Sequence, residues 1–311
     1  MSTEVSQRPP TIDPPAALRW ARLAPSPDAG SPWLHEEIGR RMADRLQWIK
    51  AQPRRWLDWA PLRGGLESHA LVTGRYRAAE AFVVEPAVSL VQRTREIFTA
   101  PWWTLRRWQG PRESFDVVPD EGVDLLWANM ALHMAADPQA LIAQWHRLTA
   151  TDGFLMFSCF GPDTLRELRS AYQTRGWPVP AHQFTDMHDW GDMLVAAGFA
   201  EPVMDMERIV LTYATPEAAL AELKTLGRNL HPHRFGALRG KVWRAALTDA
   251  LASMARPAAP DDTVNRTDPG GDRIAFTFEI IYGHAFKPAP RIKLAPESAV
   301  SLREMRSMLG I

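Results

Sequence analysis

The chain has 311 residues, 46% of them hydrophobic and 23% charged, the composition of an ordinary globular protein long enough to bury a large core. Lys plus Arg and Asp plus Glu each number 36, so net charge selects neither a nucleic acid nor a membrane surface, and only local clusters can. The single cysteine, Cys159, excludes an internal disulfide and a cysteine-based zinc site; within its apolar run it reads as a small buried hydrophobe in a protein of the reducing cytoplasm.

No apolar run approaches the roughly 20 residues that span a bilayer, and the opening MSTEVSQRPPTIDPP has no hydrophobic signal core. Residues 1–32 repeat Pro, Ser and Asp with little periodicity and read as a flexible arm. A helical pattern then opens at Ser31 or Pro32, with Leu34, Ile38, Met42 and Leu46 on one face, and Pro53 closes it. Arg54 to Ala60 is a first short strand and Ala81 to Val84 a second, ended by Glu85 and Pro86. Ser89 to Phe98 follows as a helix. The stretch APWWTLRRWQG, Ala100 to Gly110, interleaves tryptophan with basic residues. Trp packed under Arg stems explains it more simply than a nucleic-acid surface does, so no nucleic acid is expected as a partner. A third strand falls somewhere in Glu113 to Val118.

The centre of the chain is a strand–helix–strand unit. VDLLWANMALH from Val123 and DGFLMFSCFGPDTLRELR from Asp152 flank a helical pattern over Pro138 to Ala150. Both strands are apolar at consecutive positions, the mark of a parallel sheet covered by helices on both faces, and hence of an α/β fold. Ligands of such sheets sit beyond the carboxyl ends of the strands, which directs attention to Asn129–His133 and Ser158–Pro162. Helices are then expected over Thr164–Thr174, Met187–Ala197, Pro216–Gly227 and Leu238–Ala255, and strands over Val203–Tyr213 and Ile274–Phe286, with a loop from Arg256 to Asp272.

A nucleoside-binding α/β fold needs a glycine-rich turn after its first strand and an acid at the end of its second. Here the first strand runs into Asp58-Trp59-Ala60-Pro61-Leu62-Arg63-Gly64-Gly65, and the second ends in Glu85. Asn129 can cap the next helix or face a ligand. His133 and His146 read as structural or solvent-facing, and His231 with His233 lacks a third ligand at metal spacing, so no metal site is expected. No Ser, His and Asp set is recognisable.

LDWAPLRGG, FVVEP, VDLLWANMALH, DGFLMFSCFGPDTLRELR, PVMDMERIVLTYATPEAALAELKTLGRNL and IIYGHAFKP, in this order, resemble the biotin-synthesis enzymes that O-methylate malonyl-acyl-carrier protein. The resemblance implies a seven-stranded Rossmann-like methyltransferase sheet with helices on both faces, parallel but for one reversed strand, with a helical insertion at about 216–260 within a domain over 33–311. It implies S-adenosylmethionine as cofactor, with Asp58 and Gly64 in the cofactor loop, Glu85 as the ribose carboxylate, Asp116 on the adenine side and Asn129 after the fourth strand. Where the family pattern is LDLGCGxG, Ala60 and Leu62 replace two glycines and Pro61 removes an N–H. That departure leaves a second reading open, a non-catalytic binding or assembly relative with a decayed cofactor loop. Malonate's free carboxylate is ionised at neutral pH, so the implied methylation requires no general base. An acyl-carrier protein is acidic, and Arg228, Arg234, Arg239, Lys241 and Arg244 form a basic segment without an intervening acid that suits it, or that forms an ordinary solvated face.

Overall fold

Because the central strands are apolar at consecutive positions, each must be covered twice, and the structure does this by alternation. In β1 (Arg55–Trp59) Trp56 enters one core and Leu57 the other. In β4 (Val123–Ala128) Leu125 and Trp127 oppose Leu126, and in β5 (Thr149–Phe160) Phe154 and Met156 oppose Leu155 and Phe157. With β2 (Glu80–Val84), β3 (Glu113–Phe115), β6 (Ala200–Tyr213) and β7 (Ile274–Phe286) they make a seven-stranded sheet of order β3-β2-β1-β4-β5-β7-β6. Pairing is parallel from β3 through β5, and β7 runs antiparallel to both β5 and β6. This is the implied sheet with its one reversed strand. The computed structural model describes residues 12–25, 30–98, 113–115, 117–257 and 271–289, together with 306 and 310. The tryptophan-rich stretch 100–110, Asp116 and most of the loop expected over 256–272 lie outside them.

Helix α2 (Trp33–Arg45) lays Leu34, Ile38 and Met42 on one face of the sheet, and Leu46 completes the stripe just beyond its end. On the opposite face, helix Pro138–Leu148 contributes Ile142 and Trp145 and helix Met187–Ala196 contributes Trp190 and Leu194. Asp137 starts the first of these by accepting a hydrogen bond from the Ala140 N–H at 2.9 Å. Helices Pro216–Leu226 and Lys241–Ala252 stand between β6 and β7, where an insertion was expected.

Two pieces differ from the sequence reading. The segment expected as a flexible arm contains helix α1 (Pro14–Arg22), whose two prolines occupy the first turn, where their missing N–H groups cost nothing. Ile12, Ala16 and Ala17 bury against Leu230, with Trp20 and Met134 packed beside them. After β1, a single helical turn α3 (Pro61–Gly64) and helix α4 (Leu66–Arg75) were not anticipated. The strand order reverses between β1 and β4, the switch point where a ligand crevice forms in such sheets.

Candidate functional site

The segment expected as the cofactor loop is built around one strained residue. Ala60 takes left-handed backbone angles (φ 59°, ψ 47°), and its carbonyl accepts from the N–H groups of Arg63 and Gly64. Pro61 sits at the first position of that turn, so its absent N–H leaves no bond unmade. The Leu62 side chain does not enter the crevice: it is buried with Ala87 and Leu90, while its N–H donates to Glu85 Oε1 at 3.1 Å. Gly64 is needed for close approach, since a β-carbon there would lie 2.8 Å from the Asn129 carbonyl oxygen. Gly65 is left-handed at φ 140° and precedes α4. The N-terminus of α4 is filled from within, because Glu36 accepts from the N–H groups of Leu66, Glu67 and Ser68 at 2.7, 3.2 and 3.0 Å.

A cavity of about 750 Å³ opens over the carboxyl ends of β1, β2 and β4. Three of the expected residues, Gly64, Glu85 and Asn129, line it together, with Leu18 and Trp20 of α1 as part of its wall. Glu85 Oε1 also accepts from the Thr94 hydroxyl at 2.9 Å, whereas Oε2 is buried without a partner. Burial pushes the Glu85 carboxyl up to about 7, against the pull of the Leu62 and Thr94 hydrogen bonds. A buried carboxylate oxygen left open at the end of β2 fits the hydroxyl donors of a ribose. Asn129 neither caps a helix nor stands free: its amide donates to the His35 carbonyl at 2.8 Å and to the Gly64 carbonyl. Its oxygen accepts from the Ser158 hydroxyl at 2.6 Å, and that hydroxyl accepts the Met130 N–H at 3.0 Å. Asn129 thus ties α2, the loop and β5 into one frame. Asp58 is not among the cavity's lining residues; its Oδ2 lies 2.8 Å from His69 Nδ1 in a buried pair, and burial raises its carboxyl. Asp116 lies outside the described residues.

Residues that the sequence did not mark complete the picture. Arg63 stacks on Trp20, with 3.6 Å from its guanidinium carbon to the ring centroid, and donates to the carbonyls of Trp20 and Leu23. Burial lowers the Arg63 guanidinium to about 10, which leaves it cationic at neutral pH. His35 Nδ1 donates to the Arg63 carbonyl at 2.8 Å, and burial holds this imidazole near 4, hence neutral. A second, smaller cavity shares Met134 and Leu226 with the first.

The basic segment is divided by the fold. Arg228 lines the smaller cavity and lies 5.3 Å from the Trp20 ring, and Arg234 pairs with Asp13 at 2.6 Å. Arg239 stacks on Trp243 at 3.9 Å, and Lys241 and Arg244 are exposed beside Leu238 and Val242. No helix among the described residues is long and apolar enough to cross a membrane.

The chain resembles known proteins in sequence and in fold. A family model described as a methyltransferase domain matches residues 33–201. The chain is 36% identical to the malonyl-acyl-carrier-protein O-methyltransferase of Gallionella capsiferriformans, over 88% of this chain and 90% of that one. It is 37% identical to the protein of the same name from Laribacter hongkongensis, over 84% and 86% respectively. Among solved structures, the YcgJ protein of Bacillus subtilis superposes with a TM-score of 0.50 at 13% identity, covering 81% of this chain and 99% of that one, a likeness of fold.

Proposed function

Because the chain belongs to the family of malonyl-acyl-carrier-protein O-methyltransferases, we propose that it methylates the free carboxylate of a malonyl group carried on acyl-carrier protein, with S-adenosylmethionine as donor. The observation that carries the cofactor assignment is the buried Glu85 Oε2, which no protein group bonds, on a residue that lines the cavity together with the close-packed Gly64. Glu85 would hold the ribose hydroxyls, and the backbone from Ala60 to Gly64 would pass along the cofactor. When bound, S-adenosylmethionine supplies an electrophilic methyl group, whose S–C bond breaks as an acceptor oxygen forms the new C–O bond.

The protein's own contribution is alignment and exclusion of water. Asn129 fixes the loop relative to α2 and β5, so the cavity floor is held by three elements at once. Helix α1 walls the cavity from outside, latched by Arg63 on Trp20. An ionised acceptor oxygen needs no proton removed, so the reaction asks no general base of the residues that line the cavity. The non-catalytic reading rested on Ala60, Pro61 and Leu62 standing against the family's glycine pattern; Pro61 leaves no bond of its turn unmade, and Leu62 packs with Ala87 and Leu90. For docking, Arg239, Lys241 and Arg244 would meet the acidic carrier protein, with Arg228 and Arg234 nearer the cavity.

The deciding experiment is transfer of a tritiated methyl group from S-adenosylmethionine. Base-labile label on malonyl-acyl-carrier protein and none on the acetyl form is the expected result. Binding of S-adenosylhomocysteine without label on either form would overturn the proposed reaction.

A further inference from the structure

His133 follows β4 in a 3-10 turn, Leu132–Met134, and its imidazole is buried at 4% exposure with neither ring nitrogen hydrogen-bonded. From the sequence it reads as structural or solvent-facing; in the structure it is buried and no protein group bonds either ring nitrogen. A buried polar group in that condition is costly unless something else completes it. Its ring packs 4.5 Å from Phe160 and 5.8 Å from Phe184, centroid to centroid. The neighbouring imidazoles are already committed: His35 Nδ1 donates to the Arg63 carbonyl, and His182 Nε2 bonds the His133 carbonyl at 3.0 Å. His133 alone of the three has no tautomer imposed by the protein.

The smaller cavity, about 110 Å³, is lined by His133, Phe160, His182, Phe184 and Arg228 among others, and no acidic side chain among the described residues lines it. That is well under the roughly 300–1,000 Å³ of pockets for drug-sized ligands, so it suits a short head group. Apolar walls, one guanidinium and an imidazole whose nitrogens no protein group bonds select a small anion on an apolar stem. Since Met134 and Leu226 border both cavities, a group in the smaller one abuts the larger.

We infer that the smaller cavity receives the carboxylate-bearing end of the acyl group and that His133 is the positioning residue whose ring N–H donates to the acceptor carboxylate. This deepens the methyltransferase reading and rests on it for the identity of the acyl group. A neutral donor suits the chemistry better than a fixed cation in contact. The acceptor oxygen gives an electron pair to the incoming carbon and the carboxylate becomes a neutral ester, so a tight ion pair would favour the ground state over the transition state. A neutral N–H orients the carboxylate at smaller cost to the barrier and releases the ester. Burial, with His35 and His182 nearby, holds the His133 imidazole well below its ordinary value and keeps it neutral.

The test uses the full chain with S-adenosylhomocysteine present and two small probes, malonyl-pantetheine and acetyl-pantetheine. The unmodified protein is expected to bind the malonyl probe at least tenfold more tightly. His133→Phe, which keeps an aromatic ring without a donor, is expected to lose this discrimination, and His133→Gln, which restores an N–H, to keep it within threefold. S-adenosylhomocysteine affinity should stay within twofold in both variants. Discrimination undiminished in His133→Phe, or lost equally in both variants, overturns the assignment. Should His133→Phe fail to fold, the ¹⁵N resonance of the His133 ring in the unmodified protein decides: a shift with the malonyl probe supports the assignment and no shift overturns it. Methyl transfer to malonyl-acyl-carrier protein is measured in parallel. Transfer together with undiminished discrimination in His133→Phe removes His133 and leaves the methyltransferase standing. No transfer, with discrimination lost in His133→Phe and kept in His133→Gln, does the reverse.

Discussion

Glu85 and Leu62 show how single side chains decide the reading of the cofactor loop. The Glu85 carboxyl has an ordinary value of 4.5 and is raised by burial to about 7. A protonated carboxyl accepts ribose hydroxyls poorly, so S-adenosylhomocysteine affinity should rise about tenfold from pH 6 to pH 8, as the ionised fraction climbs through 7. The same shift acts on the fold in the opposite sense: stability falls as pH rises from the unfolded value through 7, so titration calorimetry and melting temperature should move oppositely. Glu85→Gln should flatten both profiles. At Ala60, left-handed backbone costs about 1–2 kcal/mol for a residue with a β-carbon, and glycine returns about 0.5–1 kcal/mol of that as chain entropy. Ala60→Gly is therefore expected to be neutral or stabilising by up to about 1.5 kcal/mol in urea denaturation. Leu62→Gly should cost about 2–5 kcal/mol, the range for emptying a buried leucine site, without tightening S-adenosylhomocysteine. That Gly64, Glu85 and Asn129 converge at the cavity was legible because each lies in the segment just beyond an apolar strand, and the strand ends fix where those segments meet. His35 and His133 were not, because whether a ring nitrogen finds a partner depends on residues distant in sequence, such as Arg63.

Among the elements, α1 and α4 escaped the sequence for different physical reasons. The prolines of α1 read as breakers, yet at the first turn they favour a helix. The buried side of α4 carries Ser68, His69 and Val72, a mostly polar face that shows no apolar stripe until Asp58 and Glu36 are seen to meet it. By contrast α2, the strand–helix–strand unit around Pro138–Leu148 and the last strand were plain from periodicity alone. Helix α1 matters because it walls the cavity through contacts that include the Trp20–Arg63 stack, the Asp13–Arg234 pair and the small cluster at Leu230. Trp20→Ala removes a stack worth about 2 kcal/mol where it is shielded from water, together with part of the cavity wall. S-adenosylhomocysteine should bind about tenfold more weakly, and amide exchange should speed up in residues 14–22. The melting temperature should change little, since the sheet's two cores lie elsewhere. Unchanged exchange and affinity would mean that α1 does not depend on this latch.

At the scale of the whole molecule, the reversed β7 and the insertion before it carry the segment from Arg228 to Arg244 to the side of the crevice. One basic cluster in sequence becomes two groups in space. Arg228 and Arg234 are engaged at the cavity and α1, whereas Arg239, Lys241 and Arg244 share a surface with the fully exposed Leu238 and Val242. Exposed apolar side chains interspersed with cations along the chain suit an acidic, amphipathic partner, and steering by such charges acts within a screening length of about 8 Å at physiological salt. Reversing Arg239, Lys241 and Arg244 to Glu should therefore raise the apparent KM for malonyl-acyl-carrier protein at least tenfold at low salt. The difference should shrink as salt is added. Affinity for malonyl-pantetheine, which lacks the carrier protein, should not change, and this separates docking from the cavity. Because Arg239 also packs on Trp243, the Lys241→Glu, Arg244→Glu double variant serves as the control for lost packing. If the triple variant retains the unmodified KM at low salt, the carrier protein docks elsewhere, and these cations are an ordinary solvated helix face.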